Sequence, residues 1–127
     1  MRTSLMISLV LLLLTIGCGV WAEKQTAFLS EKYVSAAKEL RILAEKEDWL
    51  RAQETITAYK SDWQDTAHWL QMLINHDDID DVTLALTRLE AAVSAREAAA
   101  CGEICAELEE NARHIHHRDN FTLGNVL

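Results

Sequence analysis

The sequence predicts an all-α fold, in which an N-terminal membrane segment precedes an antiparallel bundle of about four helices arranged as helical hairpins. The 127 residues include no proline and only four glycines, so nothing interrupts long helices. Apolar residues recur at spacings of three and four, and no stretch alternates apolar and polar residues with a period of two. A chain of this length forms one domain with one hydrophobic core.

The first element is an apolar segment, residues 5–16, which follows Arg2 and precedes a stretch rich in small residues. Residues 5–22 are just long enough to cross a membrane as an uncleaved single-pass anchor, with Trp21 in the interfacial belt. Cleavage as a signal peptide near Ala22 and lipidation at Cys18 are the alternatives. We therefore divide the chain into a membrane anchor or signal segment, 1–22, and a helical domain, 23–127, which all three fates place outside the cytoplasm.

The next two helices follow from the apolar spacing after residue 22. Helix one is expected over residues 24–45, continuous with the membrane segment because no helix breaker separates them. A polar stretch at residues 45–48 predicts a turn, with Asp48 as the N-cap of the next helix. Helix two is expected over residues 49–75, with Trp49 and Trp63 on its buried stripe.

The last two helices carry apolar series from Ile79 to Val93 and from Cys101 to Ile115. Asp78 is the expected N-cap of helix three, and Asp81, three residues later, completes an acidic version of a capping box. The final ten residues show no helical period. They are therefore expected to leave the helix, with Phe121, Leu123 and Val126 folding back on the bundle.

The formal net charge of −8 is unevenly distributed along the chain. Residues 23–60 hold seven acidic and seven basic residues, whereas residues 61–127 hold thirteen acidic and four basic residues. A negative surface repels phosphate backbones, so the sequence predicts no nucleic-acid binding. It leaves open a basic partner or a role in solubility alone.

Two clusters contain residue types that carry chemistry. Cys101 and Cys105, with the three histidines His114, His116 and His117, suggest a zinc site, but one helix cannot close a tetrahedral shell with ligands two turns apart. His76 lies among four aspartates at positions 77, 78, 80 and 81, which fits a turn with helix caps better than a base or a metal ligand. We therefore expect no catalytic residues, no metal and no cofactor.

Trp69 is six residues after Trp63, which turns it off the buried stripe of helix two at about 100° per residue. It either contacts a third helix or forms an exposed patch with a large apolar anchor residue. In the second case Trp69, Met72 and His76 are the candidate partner-binding residues, and the expected partner is another membrane or envelope protein.

The chain also resembles a known family. The pattern W-x5-W-x6-H-x-D-I-D runs from Trp63 to Asp80, Leu86 and Leu89 follow it, and the chain closes with His114-Ile115 and the residues of 122–127. Together with Gly17, Gly19 and Trp21, these residues resemble the family of domain of unknown function 4363, seen mainly in clostridial Firmicutes. The resemblance implies a small membrane-associated helical protein without assigned activity. Where that family tends to carry a proline-containing connection, this chain has His116-His117.

Two classes of function stay open at this point. The first is a non-enzymatic accessory or protein-interaction module anchored on the outer face of a bacterial cell membrane; the family resemblance implies an envelope or sporulation role. The second is a helical bundle that binds a small ligand or a metal in its interior. A packed interior would favour the first class, and a cavity with convergent polar groups would favour the second.

Overall fold

The computed structural model describes the backbone of residues 1–126 and the side chains of residues 1–116. Over this range the chain folds into four helices: α1 (Arg2–Glu45), α2 (Trp49–Leu70), α3 (His76–Ser94) and α4 (Ala98–Val126). α1 packs on α2 and α4, and α3 packs on the same two helices. The all-α prediction is therefore correct, and the helices form a bundle in which neighbours in sequence are neighbours in space.

α1 combines two chemically different halves in one uninterrupted helix. Its apolar N-terminal part includes an 18-residue window long and apolar enough to cross a membrane, and none of that window is buried. Its second half begins at Thr26 and contributes the buried residues Leu29, Tyr33, Leu40 and Ala44. The expected continuity between the apolar segment and the first bundle helix is thus observed.

The core contains large side chains from all four helices. Tyr33 of α1 and Trp63 of α2 are fully buried at its centre, with ring centroids 5.0 Å apart in an edge-to-face arrangement. The Trp63 indole donates a 2.8 Å hydrogen bond to the Thr83 hydroxyl of α3, which satisfies its polar atom. From α4, the apolar stripe contributes Cys101, Ile104, Cys105, Leu108, Ala112 and Ile115.

Two turns are short and equivalent. Two residues after the end of α1 comes a left-handed residue, Glu47, and Arg96 follows α3 in the same way, both with φ of 56°. After the first of these turns Asp48 is the N-cap of α2, and its carboxylate accepts from the backbone N–H of Arg51 at 3.4 Å. These two turns lie at the end that we call the tip of the bundle. The apolar half of α1 projects from the opposite end, which we call the base.

The α2–α3 connection differs from the sequence-based expectation. α2 ends at Leu70 rather than at residue 75, because the backbone tightens there: the N–H groups of Met72 and Leu73 bond to carbonyls only three residues back. Asn75, not Asp78, is the N-cap of α3, and its side chain accepts from the N–H of Asp77 at 3.3 Å. Asp78 is instead a buried residue of the first helical turn.

Two further expectations about α3 and α4 were wrong. With the cap moved to Asn75, Asp81 is an exposed residue of the α3 body and not the second member of a capping box. The backbone of α4 continues as a helix to Val126, although the final ten residues carry no helical period. The side chains of Phe121, Leu123 and Val126, which were expected to fold back, lie outside the described residues.

Candidate functional site

The base of the bundle brings together the residues that the sequence singled out as partner-binding candidates. α1 leaves the bundle here at residues 21–26, α2 ends here, and α3 begins here. Trp69 is in the last turn of α2, Met72 is in the connection, and His76 is the first residue of α3. The short α2–α3 connection therefore holds all three candidates at one end of the molecule.

Trp69 is half-buried, and its ring packs against Trp21 of α1. The two ring centroids are 6.0 Å apart, with an angle of 42° between the ring planes. Trp21 comes at the end of the apolar half of α1 and keeps half of its surface exposed. Trp69 is thus neither a core residue nor a fully exposed one. It joins the bundle to the projecting helix.

Met72 and His76 are both exposed, in contrast to Trp69. Met72 has 82% of its surface accessible and projects from the connection, while Leu73 and Ile74 beside it are half-buried against the core. The base thus presents an apolar side chain without burying it.

Acidic residues surround this end of the molecule. Asp77, Asp80 and Asp81 of α3 are exposed, and Glu23 of α1 is exposed beside Lys24. Asp77 lies in the first turn of α3, where a carboxylate interacts favourably with the helix dipole. The W-x5-W-x6-H-x-D-I-D pattern therefore ends in the first turns of α3, where its Asp78 is buried. The exposed aspartates on either side of Asp78 give the base a negative rim.

The sequence offers two cysteines near the start of α4 and three histidines further along it as metal ligands. Cys101 and Cys105 are free and buried in the core. Burial raises the pKa of both thiols, to about 12 for Cys105. His114 is exposed, His116 is half-buried, and the side chain of His117 lies outside the described residues. Among the described residues, no group of three or more histidine, cysteine or acidic side chains is placed to hold a metal ion.

The structure adds an acidic groove that the sequence analysis missed. It has a volume of about 430 Å³ and lies between α1 and α2, lined by Glu39, Glu54, Tyr59 and Asp62. The Tyr59 hydroxyl donates to the Glu39 carboxylate at 3.2 Å, and burial followed by the charge of Glu39 raises the pKa of Tyr59. No spacing rule predicts this groove, because its two walls belong to different helices.

A second hollow lies at the tip, where α2 begins and α3 ends. It has a volume of about 320 Å³ and is lined by Trp49, Leu50, Gln53, Val93, Ser94 and Arg96. Ser94 donates a hydrogen bond of 3.0 Å to the Gln53 side chain across it. Both hollows are open surface features outside the packed core.

Comparison with known proteins gives one match. Residues 20–126 match the model of the family described as Domain of unknown function (DUF4363). No curated protein and no solved structure matches the chain. Since the family match begins next to Trp21 and covers all three candidate residues at the base as well as most of the chain, the protein belongs to the DUF4363 family.

Proposed function

We propose that this protein is a non-enzymatic accessory module, anchored in a bacterial cell membrane by residues 5–22, with its helical bundle on the outer face. The observation that carries the proposal is the continuity of α1. One half of this helix is apolar and fully exposed, and the other half is part of the bundle core. Such a helix supports a bundle held directly on the membrane, without a linker.

The burial of the two bundle cysteines supports a role in protein interaction rather than in catalysis. The Cys101 and Cys105 thiols are core residues whose raised pKa keeps them protonated at neutral pH, so they are poor nucleophiles. Trp63 and Tyr33 fill the centre of the bundle. No observation on the described residues favours the alternative of an interior ligand or metal site.

The partner that we propose is another membrane or envelope protein. Among the side chains that the structure describes, the large apolar ones exposed above the base are those of Phe28, Ile42, Leu50 and Leu84, which lie on α1, at the tip and on α3. Contact with a partner at these positions leaves the base free to face the membrane. An envelope or sporulation role, implied by the family resemblance, is compatible with such a module.

The location is tested with two reporters fused after Leu127. Alkaline phosphatase folds only outside the cytoplasm, so this fusion is expected to be active, whereas a green fluorescent protein fusion is expected to remain dark. The chain should stay in the membrane fraction after carbonate washing. A fluorescent fusion with inactive phosphatase would contradict the proposed orientation.

The interaction is tested by photo-crosslinking in the native membrane. A photoreactive leucine analogue is placed at Ile42, Leu50 or Leu84, with the fully buried Leu86 as the matched control position. We expect a discrete crosslinked protein from at least one exposed position and none from Leu86. If no exposed position gives a product that the control lacks, the protein-interaction role is wrong.

A further inference from the structure

The end of the apolar half of α1 defines where the bundle meets the membrane. The 18 residues from Leu5 to Ala22 are about 27 Å long as a helix, close to the roughly 30 Å of hydrocarbon in a bilayer. Glu23 and Lys24 are the first charged residues after this stretch. Trp21 therefore lies at the interface between hydrocarbon and headgroups, where tryptophan is favoured.

The Trp21–Trp69 contact brings the base of the bundle to the same level. α2 runs antiparallel to α1, since Glu39 pairs with Tyr59, Lys32 with Asp62, and Trp21 with Trp69. The chain that follows Trp69 is therefore directed towards the apolar half of α1. Met72 follows three residues later in the α2–α3 connection and is 82% exposed. From this direction of the chain we infer that Met72 lies near the level of the two tryptophan rings.

We propose that Trp21, Trp69 and Met72, which we call the base patch, rest in the headgroup region of the bilayer that holds α1. The proposal deepens the anchored-module function and rests on it. Tryptophan has an apolar body and a polar N–H, and Met72 is an apolar side chain that water solvates poorly. Contact of the base patch with lipid is favourable because it removes the methionine side chain from water. α1 also holds the patch at the bilayer surface, because the membrane-spanning segment and the bundle are joined by one continuous helix.

The charges around the base patch select the type of lipid. Among residues 1–116, the carboxylates exposed at this end are Glu23, Asp77, Asp80 and Asp81, and Lys24 is exposed beside Glu23. An anionic headgroup is repelled by these carboxylates, whereas the ammonium group of a zwitterionic headgroup pairs with them. The partner of the base patch is therefore a bilayer surface rich in zwitterionic lipid.

The test measures the depth of a nitroxide spin label in the full chain, reconstituted at one chain per phosphatidylcholine nanodisc. Each variant carries Cys18→Ala and one new cysteine: Met72→Cys at the base, Leu50→Cys at the tip, or Leu14→Cys in the apolar half of α1. Cys101 and Cys105 are buried and do not label. Leu50 is the matched control, because it is 75% exposed and about 28 Å from Trp69 along α2.

The expected result is a ratio of oxygen to nickel-chelate collisions that is several-fold higher at position 72 than at position 50, and highest at position 14. If position 72 gives the same ratio as position 50 while position 14 is deep, the base patch is not on lipid, although the anchor stands. A label at position 72 shielded from both reagents lies against protein, which also overturns the proposal. If the label at position 14 is itself exposed to water, both the anchored-module function and the base-patch proposal are wrong.

A second measurement tests the lipid preference. The same Met72→Cys chain is placed in nanodiscs in which part of the phosphatidylcholine is replaced by phosphatidylglycerol. We expect the collision ratio at position 72 to fall towards that of position 50, and to recover at high salt, which screens the carboxylates. An increase in the ratio with anionic lipid would overturn the proposed selectivity.

Discussion

At the residue scale, the buried side chain of Trp63 depends on a polar contact at the edge of the core, with the exposed Thr83. The Trp63 indole N–H is buried and donates to the Thr83 hydroxyl at 2.8 Å, and this hydroxyl in turn donates to the Ile79 carbonyl at 2.9 Å. A buried donor that loses its acceptor costs more than the bond itself contributes, because the group gives up water without compensation. The position of Trp63 is thus set by one threonine on a neighbouring helix.

Thr83→Val removes this acceptor and is expected to lower the free energy of unfolding by about 1–3 kcal/mol. Thr87→Val is the matched control, because Thr87 is exposed one turn later and donates to the Thr83 carbonyl in the same way. The control should cost less than about 0.5 kcal/mol. The measurement is denaturant unfolding of the full chain in detergent micelles, and equal effects of the two variants would contradict this role of Thr83.

From the burial of its two thiols we expect the bundle to lose stability in alkali. Burial raises the pKa of Cys105 from an ordinary value of 9.0 to about 12, so the unfolded chain loses this proton at lower pH than the folded chain. The stabilising contribution is complete below about pH 9 and is lost as the pH rises towards 12. Burial raises the pKa of Tyr33 in the same direction.

We expect the midpoint temperature of thermal unfolding to fall steeply between about pH 9 and 12. In Cys105→Ala the fall should be shallower, measured relative to the midpoint of that variant at neutral pH.

In the native chain at neutral pH, a water-soluble maleimide should leave Cys101 and Cys105 unmodified, and both should react after unfolding. Mass spectrometry of labelled peptides reads out each site. Rapid native labelling of Cys105 would contradict its burial.

At the element scale, the two turns at the tip share one construction. In each turn, the backbone N–H of the second residue after the helix donates to the carbonyl three residues back, and the N–H of the third donates to the carbonyl five residues back. After α1 these bonds run from Glu47 to Ala44 and from Asp48 to Leu43. After α3 they run from Arg96 to Val93 and from Glu97 to Ala92. This is the Schellman motif, which favours glycine at its left-handed position. Here that position holds Glu47 or Arg96, each with φ of 56°.

Replacing a left-handed non-glycine residue by glycine removes local strain. Glu47→Gly and Arg96→Gly are therefore each expected to raise the free energy of unfolding, by about 0.5–1 kcal/mol after the entropy of the unfolded chain is taken into account. Lys46→Gly is the control, since Lys46 has φ of −80° and ψ of −4° and gains nothing from glycine. It should be destabilising, and stabilisation by all three variants would show that glycine acts through another effect.

The sequence predicted that these helices exist better than it predicted where they begin and end. Apolar spacing predicted all four helices, because each must bury one stripe. It extended helix two to residue 75, since Leu73 continues the period although it lies in the connection. The cap of α3 was predicted at Asp78 from a capping-box pattern, whereas the structure has it at Asn75. Both residue types are good N-caps, so the choice depends on where the preceding helix ends rather than on local preference.

At the scale of the whole molecule, α1 is both the apolar projection and a central helix of the bundle. The contacts that follow from this, Trp21 with Trp69 and Glu39 with Tyr59, join residues far apart in sequence. They depend on the register between α1 and α2, which periodicity within one helix does not contain. The sequence therefore identified Trp69, Met72 and His76 as candidate partner-binding residues. It did not predict that Trp69 contacts Trp21.

A seven-residue insertion between Ala22 and Glu23 separates the two roles of α1. Seven helix-forming residues with zero net charge add about 10.5 Å and rotate the helix by only about 20°, so each face of α1 keeps its direction. The bundle core begins at Thr26 and remains intact, so the unfolding midpoint is expected to stay close to that of the parent. The Trp21–Trp69 contact is lost, because Trp21 stays with the apolar half while Trp69 moves away with the bundle.

The expected readouts are a reduced near-ultraviolet circular dichroism signal from the tryptophan pair and an aqueous spin label at position 72. Trp69→Phe without the insertion is the control, since it also removes the pair but leaves the bundle at its original height. In that variant the label at position 72 should remain at lipid depth. If the insertion leaves the label at lipid depth, the bundle bends back to the bilayer, and the rigid continuity of α1 does not set its height.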